Sequence, residues 1–342
     1  MTRRDLSPRE AKQRFISRRK QRQAEATVRS YEHRLRHFVN WAEEEGIESM
    51  SEIGGWEIDD YRHARESEDV TPSTVKGTMV AVKQLLEFCE KIEVVEEGTA
   101  KKVEIPKLTK DEETDDQQLT AERAKNHLQF FRESKRYRGH VHHAFLEVAW
   151  HTGCRMGGVL ALDLDDYDPD RGTLHFKHRP DLGTTLKNKE EGERIVGIND
   201  DVVDALDRYI ARDRPRKSDD YGREPLFATT HGRPSDTTLR AWSYLSTQPC
   251  LVRECPHNRQ RHSCEWTERS HASKCPSSRP PHAIRTGAIT WMLNTTDGDI
   301  EWVARRVNAK PDTIRRYYDK ATPEEEFENR AQKYQNDLTI GK

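Results

Sequence analysis

Residues 151–168 read His151-Thr152-Gly153-Cys154-Arg155-Met156-Gly157-Gly158-Val159-Leu160-Ala161-Leu162-Asp163-Leu164-Asp165-Asp166-Tyr167-Asp168. An apolar helix ends there at a Thr-Gly turn, an arginine follows, and a second apolar run leads into acids. Upstream, Leu119-Thr120-Ala121-Glu122 opens the unit to which this segment belongs, with Thr120 placed as a helix N-cap. Downstream, Leu174 and Phe176 alternate with polar residues. A polar turn over 187–192 then leads into Glu193-Arg194-Ile195-Val196-Gly197-Ile198, which predicts a β-hairpin. Residues 201–213, with Val202, Val203, Leu206 and Ile210, return to helix.

Ahead of this unit, Lys107-Leu108-Thr109-Lys110-Asp111-Glu112-Glu113-Thr114-Asp115-Asp116 is charged and short of apolar anchors, as a linker is. Before the linker the period is helical. Val28, Tyr31, Leu35, Phe38, Val39 and Ala42 recur at three- and four-residue steps and stop before Gly46. Ile53, Trp56, Ile58 and Tyr61 predict a second, shorter helix. A third follows Thr71-Pro72-Ser73, with Val75, Met79, Val82, Leu86 and Cys89 on one face. Three or four amphipathic helices make a small all-α domain. The expected fold is mainly α with a small antiparallel hairpin or sheet. The expected division is a basic N-terminal arm over 1–22, a helical domain over 23–106, a linker over 107–118, a larger unit over 119–330 with a Cys-rich insert at 248–280, and a tail over 331–342.

Composition narrows the classes. The 342 residues carry 58 Lys+Arg against 60 Asp+Glu, with 33% hydrophobic and 35% charged residues. No run of about 18 apolar residues exists, so no membrane span is expected. No apolar stretch follows the N-terminus, so no secretory signal is expected either. Six cysteines, four of them clustered, do not make a secreted disulfide scaffold. The expected setting is the cytoplasm. The near-neutral total averages uneven parts, since residues 1–40 hold twelve Lys/Arg against four acids. Such a segment can neutralise phosphates, or it can be a solvated helix face.

No Walker loop, dinucleotide-binding glycine fingerprint, nucleophile elbow or HExxH motif is present. Paired aspartates occur at 59–60, 115–116, 165–166 and 219–220; in a chain with 60 acids, chance accounts for them. Two further segments stand out beside 151–168. One is Pro281-His282-Ala283-Ile284-Arg285-Thr286-Gly287 and the other is Asn308-Ala309-Lys310-Pro311-Asp312-Thr313-Ile314-Arg315-Arg316-Tyr317-Tyr318-Asp319-Lys320. Each of Arg155, His282 and Tyr318 taken alone reads as a surface, polar or packing residue.

Taken in order, the three segments resemble the tyrosine recombinase (phage integrase) family, with its Thr-Gly-x-Arg box, its His-x-x-Arg box and its C-terminal tyrosine. The Leu-Asp-Leu-Asp-Asp-Tyr-Asp run, the Cys-Pro-Ser-Ser-Arg before the His box, and Tyr-Asp-Lys at the end are most similar to archaeal, particularly haloarchaeal, integrases. The resemblance covers residues 20 to 330. It implies a helical DNA-clamping domain and a catalytic domain that close around double-stranded DNA at specific attachment sites. It also implies a homotetramer on DNA, in a virus or mobile element, and a 3′-phosphotyrosine intermediate formed without a catalytic cofactor.

The residue types suit that chemistry. Negative charge grows on the phosphate oxygens as a nucleophile adds, and guanidinium presents a planar fork of donors that is always charged. By resemblance, Arg155 and Arg285 clamp the phosphate. His282, three residues before Arg285, donates to the phosphate or accepts a proton. A phenol with an ordinary pKa of about 10 needs such a cationic field to attack near neutrality. Tyr317 and Tyr318 both follow Ile314 by a helical turn, so geometry does not separate them. Tyr318 is preferred because it directly precedes Asp319-Lys320. The leaving 5′-oxygen takes a proton from Lys187 by resemblance, with Lys189 as runner-up. Two positions depart from the family: Gly158 stands where an acid is usual, and Asn308 or Ala309 stands where His or Trp is usual. The segment after Tyr318 would dock on a neighbouring protomer, and the second and third N-terminal helices would meet the DNA groove.

Cys250, Cys255, Cys264 and Cys275 fall in an otherwise polar segment with His257, His262 and His271. A loop that buries little apolar area needs a staple, and four thiolates around a structural zinc ion would provide one. The spacing lacks a Cys-x-x-Cys pair, so free thiols and disulfides remain open. The competing functional readings are a non-cleaving DNA-binding protein, a metal-dependent nuclease and a type IB topoisomerase-like enzyme.

Overall fold

The computed structural model describes residues 5–23, 25–109, 112 and 117–332. The chain forms two compact units, Met1–Asp115 and Asp116–Lys342.

The first unit is helical. α1 (Pro8–Lys20) starts at Ser7, whose hydroxyl accepts from the Glu10 amide while the Glu10 carboxylate accepts from the Ser7 amide; this is a capping box. α2 (Glu25–Glu44), α3 (Gly55–Ser67) and α4 (Pro72–Lys91) follow. Thr71 caps α4 through the Thr74 amide, with Pro72 in the first turn. Leu35, Phe38, Met79, Val82, Leu85 and Leu86 are fully buried in one core. Tyr61 meets Phe38 edge-on at 5.1 Å.

Two details differ from expectation. The described part of the 1–22 segment is not a separate arm. Ala11, Phe15 and Ile16 give α1 an apolar stripe that packs on α2 and α4, and Arg19 stacks on Phe15 and Tyr31 at 4.3 and 4.1 Å. Burying Phe15 and Ile16 is worth roughly 1.5–3 kcal/mol each, enough to hold a basic helix down. Trp56, expected on the apolar face of α3, is 81% exposed, because Ile58 and Tyr61 already turn the opposite side to the core. Of the expected linker, residues 110, 111 and 113–116 lie outside the described residues, as do 333–342 of the tail.

In the second unit, α5 (Ala121–Glu133) is capped by Thr120. α6 (Val141–Thr152) is buried on nearly every side and packs against α5, against α8 (Asp200–Arg212), α9 (Asp236–Ser246) and α10 (Pro281–Thr295). An all-round buried helix is the spine of a core. The short α7 (Met156–Ala161) leads to a three-stranded antiparallel sheet in the order β1 (Tyr167–Asp168), β2 (Thr173–Phe176), β3 (Arg194–Gly197). Leu174 pairs with Val196 and both are buried, while Ile195 faces out. The hairpin lies where alternation places it; β1 is an addition, formed as Tyr167 and Asp168 pair with Leu174 and Thr173.

α10 lies so close to the backbone at the start of the unit that a Cβ on Gly287 would sit 1.8 Å from the Leu119 carbonyl oxygen. The Leu119 amide donates to the Ala283 carbonyl at 3.0 Å. Then come α11 (Ile300–Val307), a turn at Pro311–Thr313 and a π-helical turn at Ile314–Tyr318, followed by a short helix at Pro323–Glu326 and a second π-helical turn at Phe327–Ala331.

Candidate active site

The site is assembled from helix ends. α6 stops because Gly153 adopts φ 56°, in the left-handed region. That turn sends Arg155 out as the N-cap of α7, where its Nη1 donates to the Asn308 carbonyl at 2.6 Å. Asn308 ends α11 at φ 51°, and its side-chain oxygen accepts from Asn188 at 2.8 Å. Of the two residues at the position where His or Trp is usual, Asn308 is thus the one that holds Arg155, through backbone rather than a ring.

Arg285 projects from the second turn of α10 and is 3% exposed. Its Nη1 donates to the carbonyls of Gly153 and Val307. Its Nε and Nη2 are buried and make no hydrogen bond among the described residues. Burial pulls the guanidinium below its ordinary pKa and Arg155 lowers it further, while Tyr318 opposes this. A buried cation with two unmatched donors is costly alone and well suited to an anion.

His282 stands one turn earlier on α10, exposed, with its ring 5.4 Å from the ring of Tyr318. Tyr318 closes the π-helical turn and is 6% exposed. The Asp319 amide reaches back to the Ile314 carbonyl at 2.9 Å, and Thr290 Oγ1 donates to the Tyr318 carbonyl at 2.8 Å. The Arg285 guanidinium lies 5.1 Å from the Tyr318 ring centre.

These side chains border one cleft of about 450 Å³, lined by Arg155, Lys187, Arg240, His282, Arg285 and Tyr318, with Cys154, Met156, Gly157, Pro280 and Pro281 completing the wall. Arg155, Lys187, His282, Arg285 and Tyr318 are therefore brought together. Tyr317 and Lys189 do not line the cleft; Tyr317 carries Arg316 on its ring at 5.1 Å. Among the described residues no carboxylate lines it, and none of Arg155, Lys187, Arg240 and Arg285 makes an ion pair. In a chain with more acids than bases, this is a surface kept free for a negative ligand.

Sequence reasoning missed three contributors. Arg240, on α9, borders the cleft. Cys154 forms part of its wall, 5% exposed. Arg194 stacks on Phe176 at 4.3 Å and donates to the Arg306 carbonyl at 2.7 Å, tying the hairpin to α11; burial pushes it down to about 10. Arg240 and Arg194 lie outside any motif and Cys154 holds the variable position of the Thr-Gly-x-Arg box, although Arg194 sits at an inward position of the strand pattern. At Gly158 a Cβ would lie 3.3 Å from the Phe176 ring, tighter than ordinary contact, so a larger side chain there requires that ring to shift.

The Cys-rich insert carries its four cysteines as separate side chains. Cys250, Cys255, Cys264 and Cys275 are all free thiols, and among the described residues no three His, Cys, Asp or Glu side chains gather to hold a metal ion. Hydrogen bonds and one stacking contact run through the insert. Gln248 donates to the Trp266 carbonyl at 2.6 Å, Arg261 to Gln248 and to the Cys250 sulfur at 2.8 and 3.0 Å, and Arg259 stacks on Trp266 at 3.8 Å.

The described segment after Tyr318 packs on its own unit. Arg330 pairs with Asp319 at 2.8 and 2.9 Å and donates to Asn294 of α10.

Residues 13–91 match the model for the phage integrase N-terminal SAM-like domain, and residues 117–324 match that for the phage integrase family. The chain belongs to the phage integrase family. It is 26% identical over 203 residues to the tyrosine recombinase XerD of Mycobacterium tuberculosis, covering 55% of this chain and 60% of that protein. It thus spans about 60% of the length of the curated relative it matches. Among solved structures it is similar to the Tn1549 transposon integrase in complex with a circular intermediate DNA (15% identity, 98% of this chain and 100% of that one, TM-score 0.66). It is also similar to a lambda integrase tetramer bound to a Holliday junction (13% identity, 93% and 79%, TM-score 0.61). At such identities the likeness establishes a shared fold. Among the described residues no helix is long and apolar enough to cross a membrane.

Proposed function

We propose that this phage integrase family member is a site-specific tyrosine recombinase that cuts and rejoins double-stranded DNA through Tyr318. The observation that carries the reading is the cleft in which Tyr318 meets Arg155, Arg285, His282 and Lys187 with no carboxylate among the described residues that line it. Arg155 and Arg285 hold the non-bridging oxygens of the scissile phosphate; the unmatched Nε and Nη2 of Arg285 suit that task. The Tyr318 oxygen attacks phosphorus and its proton passes to His282. The bond from phosphorus to the 5′-oxygen breaks, and that oxygen takes a proton from Lys187. A 3′-phosphotyrosine and a free 5′-hydroxyl remain. One phosphoester replaces another, so a 5′-hydroxyl can reverse the step without an energy source.

The partners proposed are DNA attachment sites and three further copies of the chain, in the cytoplasm. The basic residues of α1 and α2 contact phosphates, and α3 and α4 meet the groove. An archaeal mobile element is the proposed setting, supported by the Leu162–Asp168 run and the Tyr-Asp-Lys ending.

Trapping on a nicked suicide duplex tests the proposal. The wild-type chain should form a covalent adduct whose peptide maps to Tyr318, and should do so in EDTA. Tyr318→Phe should bind DNA and form none, whereas Tyr317→Phe should trap normally. An adduct on Tyr317, or none in the wild type, defeats the assignment.

A further inference from the structure

The cationic surface does not end at the catalytic cleft. Arg240 borders that cleft and also a second one, of about 400 Å³, whose other polar walls are Thr237 and Tyr244 of α9 and Arg269, Ser270 and Ser273 of the Cys-rich insert. Thr237, Arg240 and Tyr244 recur at three- and four-residue steps, so they share one helix face. The insert is fastened to that helix. Arg269 Nη2 donates to Thr238 Oγ1 at 2.6 Å, Ser243 donates to the Arg279 carbonyl at 2.8 Å, and Thr247 Oγ1 accepts from the Arg279 amide at 2.8 Å.

The chemistry of the second cleft is one-sided. Among the described residues it is lined by two guanidinium groups, by hydroxyls and by Ala241, and by no carboxylate. Arg240 is exposed and makes no hydrogen bond or ion pair among the described residues. Arg269 spends one nitrogen on Thr238 and makes no ion pair among the described residues. Guanidinium and hydroxyl donors in series match the oxygens of a phosphodiester backbone, in which one charge follows another along the strand. A single anion would need only one such pocket. Two pockets sharing Arg240 match consecutive phosphates of one strand.

We propose that the cleft between α9 and the insert is a second phosphodiester subsite, which grips the DNA strand next to the phosphate attacked by Tyr318, and that the insert's role is to build it. The inference rests on the recombinase reading only for which phosphate is cut. The insert then acts through Arg269, Ser270 and Ser273 rather than through its cysteines.

The test is the salt dependence of binding to a mixed-sequence 30-base-pair duplex, measured by fluorescence anisotropy with the full chain. Each lost phosphate contact reduces the slope of log K against log salt by about 0.9. Across a fourfold rise in salt, the affinity of a single variant should therefore fall about 3.5-fold less than that of the wild type. Arg240→Gln and Arg269→Gln should each show this, and Arg240→Lys should keep the wild-type slope. Because Arg240 has no partner to lose, a folding defect cannot imitate its result. An unchanged slope in Arg240→Gln overturns the proposal. A second arm alters the DNA instead. On a duplex whose cut phosphate has been mapped by the tyrosine adduct, methylphosphonates replace the neighbouring phosphates one at a time. The wild type should lose affinity at one or two of them, and the Arg240→Gln/Arg269→Gln double variant should not. Equal losses in both proteins overturn it. Absence of any adduct defeats the recombinase reading alone, and the slope still decides the subsite.

Discussion

Gly153→Ala should cripple the catalytic unit in a way that Val307→Ala partly repairs. Gly153 sits at φ 56°, where an alanine pays roughly 1–2 kcal/mol. A Cβ there would also lie 2.9 Å from Val307 Cγ1 and 3.3 Å from Met292 Cε. Overpacking of this kind costs about 1–3 kcal/mol. The expected loss is therefore about 2–5 kcal/mol, the sum of the two. Val307→Ala removes the nearer atom and leaves the backbone cost untouched. Denaturant unfolding of the wild type, both single variants and the double variant closes a cycle. The coupling should be favourable by about 1–3 kcal/mol, the overpacking part. Because the Gly153 and Val307 carbonyls both hold Arg285 Nη1, adduct formation should fall more steeply than DNA binding in Gly153→Ala. Strict additivity of the two stability changes would refute the account, since it would mean that Val307 does not limit the space at residue 153.

Gly158→Glu, which restores the acid usual in the family, should destabilise by about 1–3 kcal/mol through contact with Phe176, and Phe176→Leu should relieve part of it; thermal unfolding reads both. Lys187→Ala should slow cleavage by about 10²–10⁴-fold, and a substrate with sulfur in place of the leaving 5′-oxygen should recover most of that, because a thiolate departs without a proton. Burial pushes the Glu147 carboxyl up, but hydrogen bonds from His143, His151 and Arg132 outweigh it and hold it well below the carboxylate range. A depressed carboxyl contributes stability above its unfolded pKa of about 4.3 and loses it as pH falls toward the folded value. Arg132→Met should therefore cost about 3 kcal/mol at neutral pH and flatten the acid side of a stability–pH curve; an unchanged acid limb would show that Arg132 does not hold the charge.

The helices of both units were legible because their apolar residues repeat at helical steps, and the hairpin because Leu174, Phe176 and Val196 alternate with polar neighbours. Packing of α1 was not, since three apolar residues are diluted by basic ones whose long stems can lie along a core. Trp56 misled for the opposite reason: its type suggests burial, but a face is chosen by what else the helix must cover.

The order of Thr152-Gly153-Cys154-Arg155, His282 to Arg285 and Tyr318 is a property of the chain, and it alone settled the chemistry to look for. Which of two adjacent tyrosines borders the cleft, how closely Phe176 approaches Gly158, and which carbonyl holds Arg155 were decided by tertiary structure. Those answers depend on distances between residues that are not neighbours in the chain, such as Gly158 and Phe176 or Arg155 and Asn308, and local sequence carries no record of such distances. The same holds for Arg240: a lone arginine on a polar helix face has no periodic signature, and only the folding of α9 beside α10 brings it to the cleft.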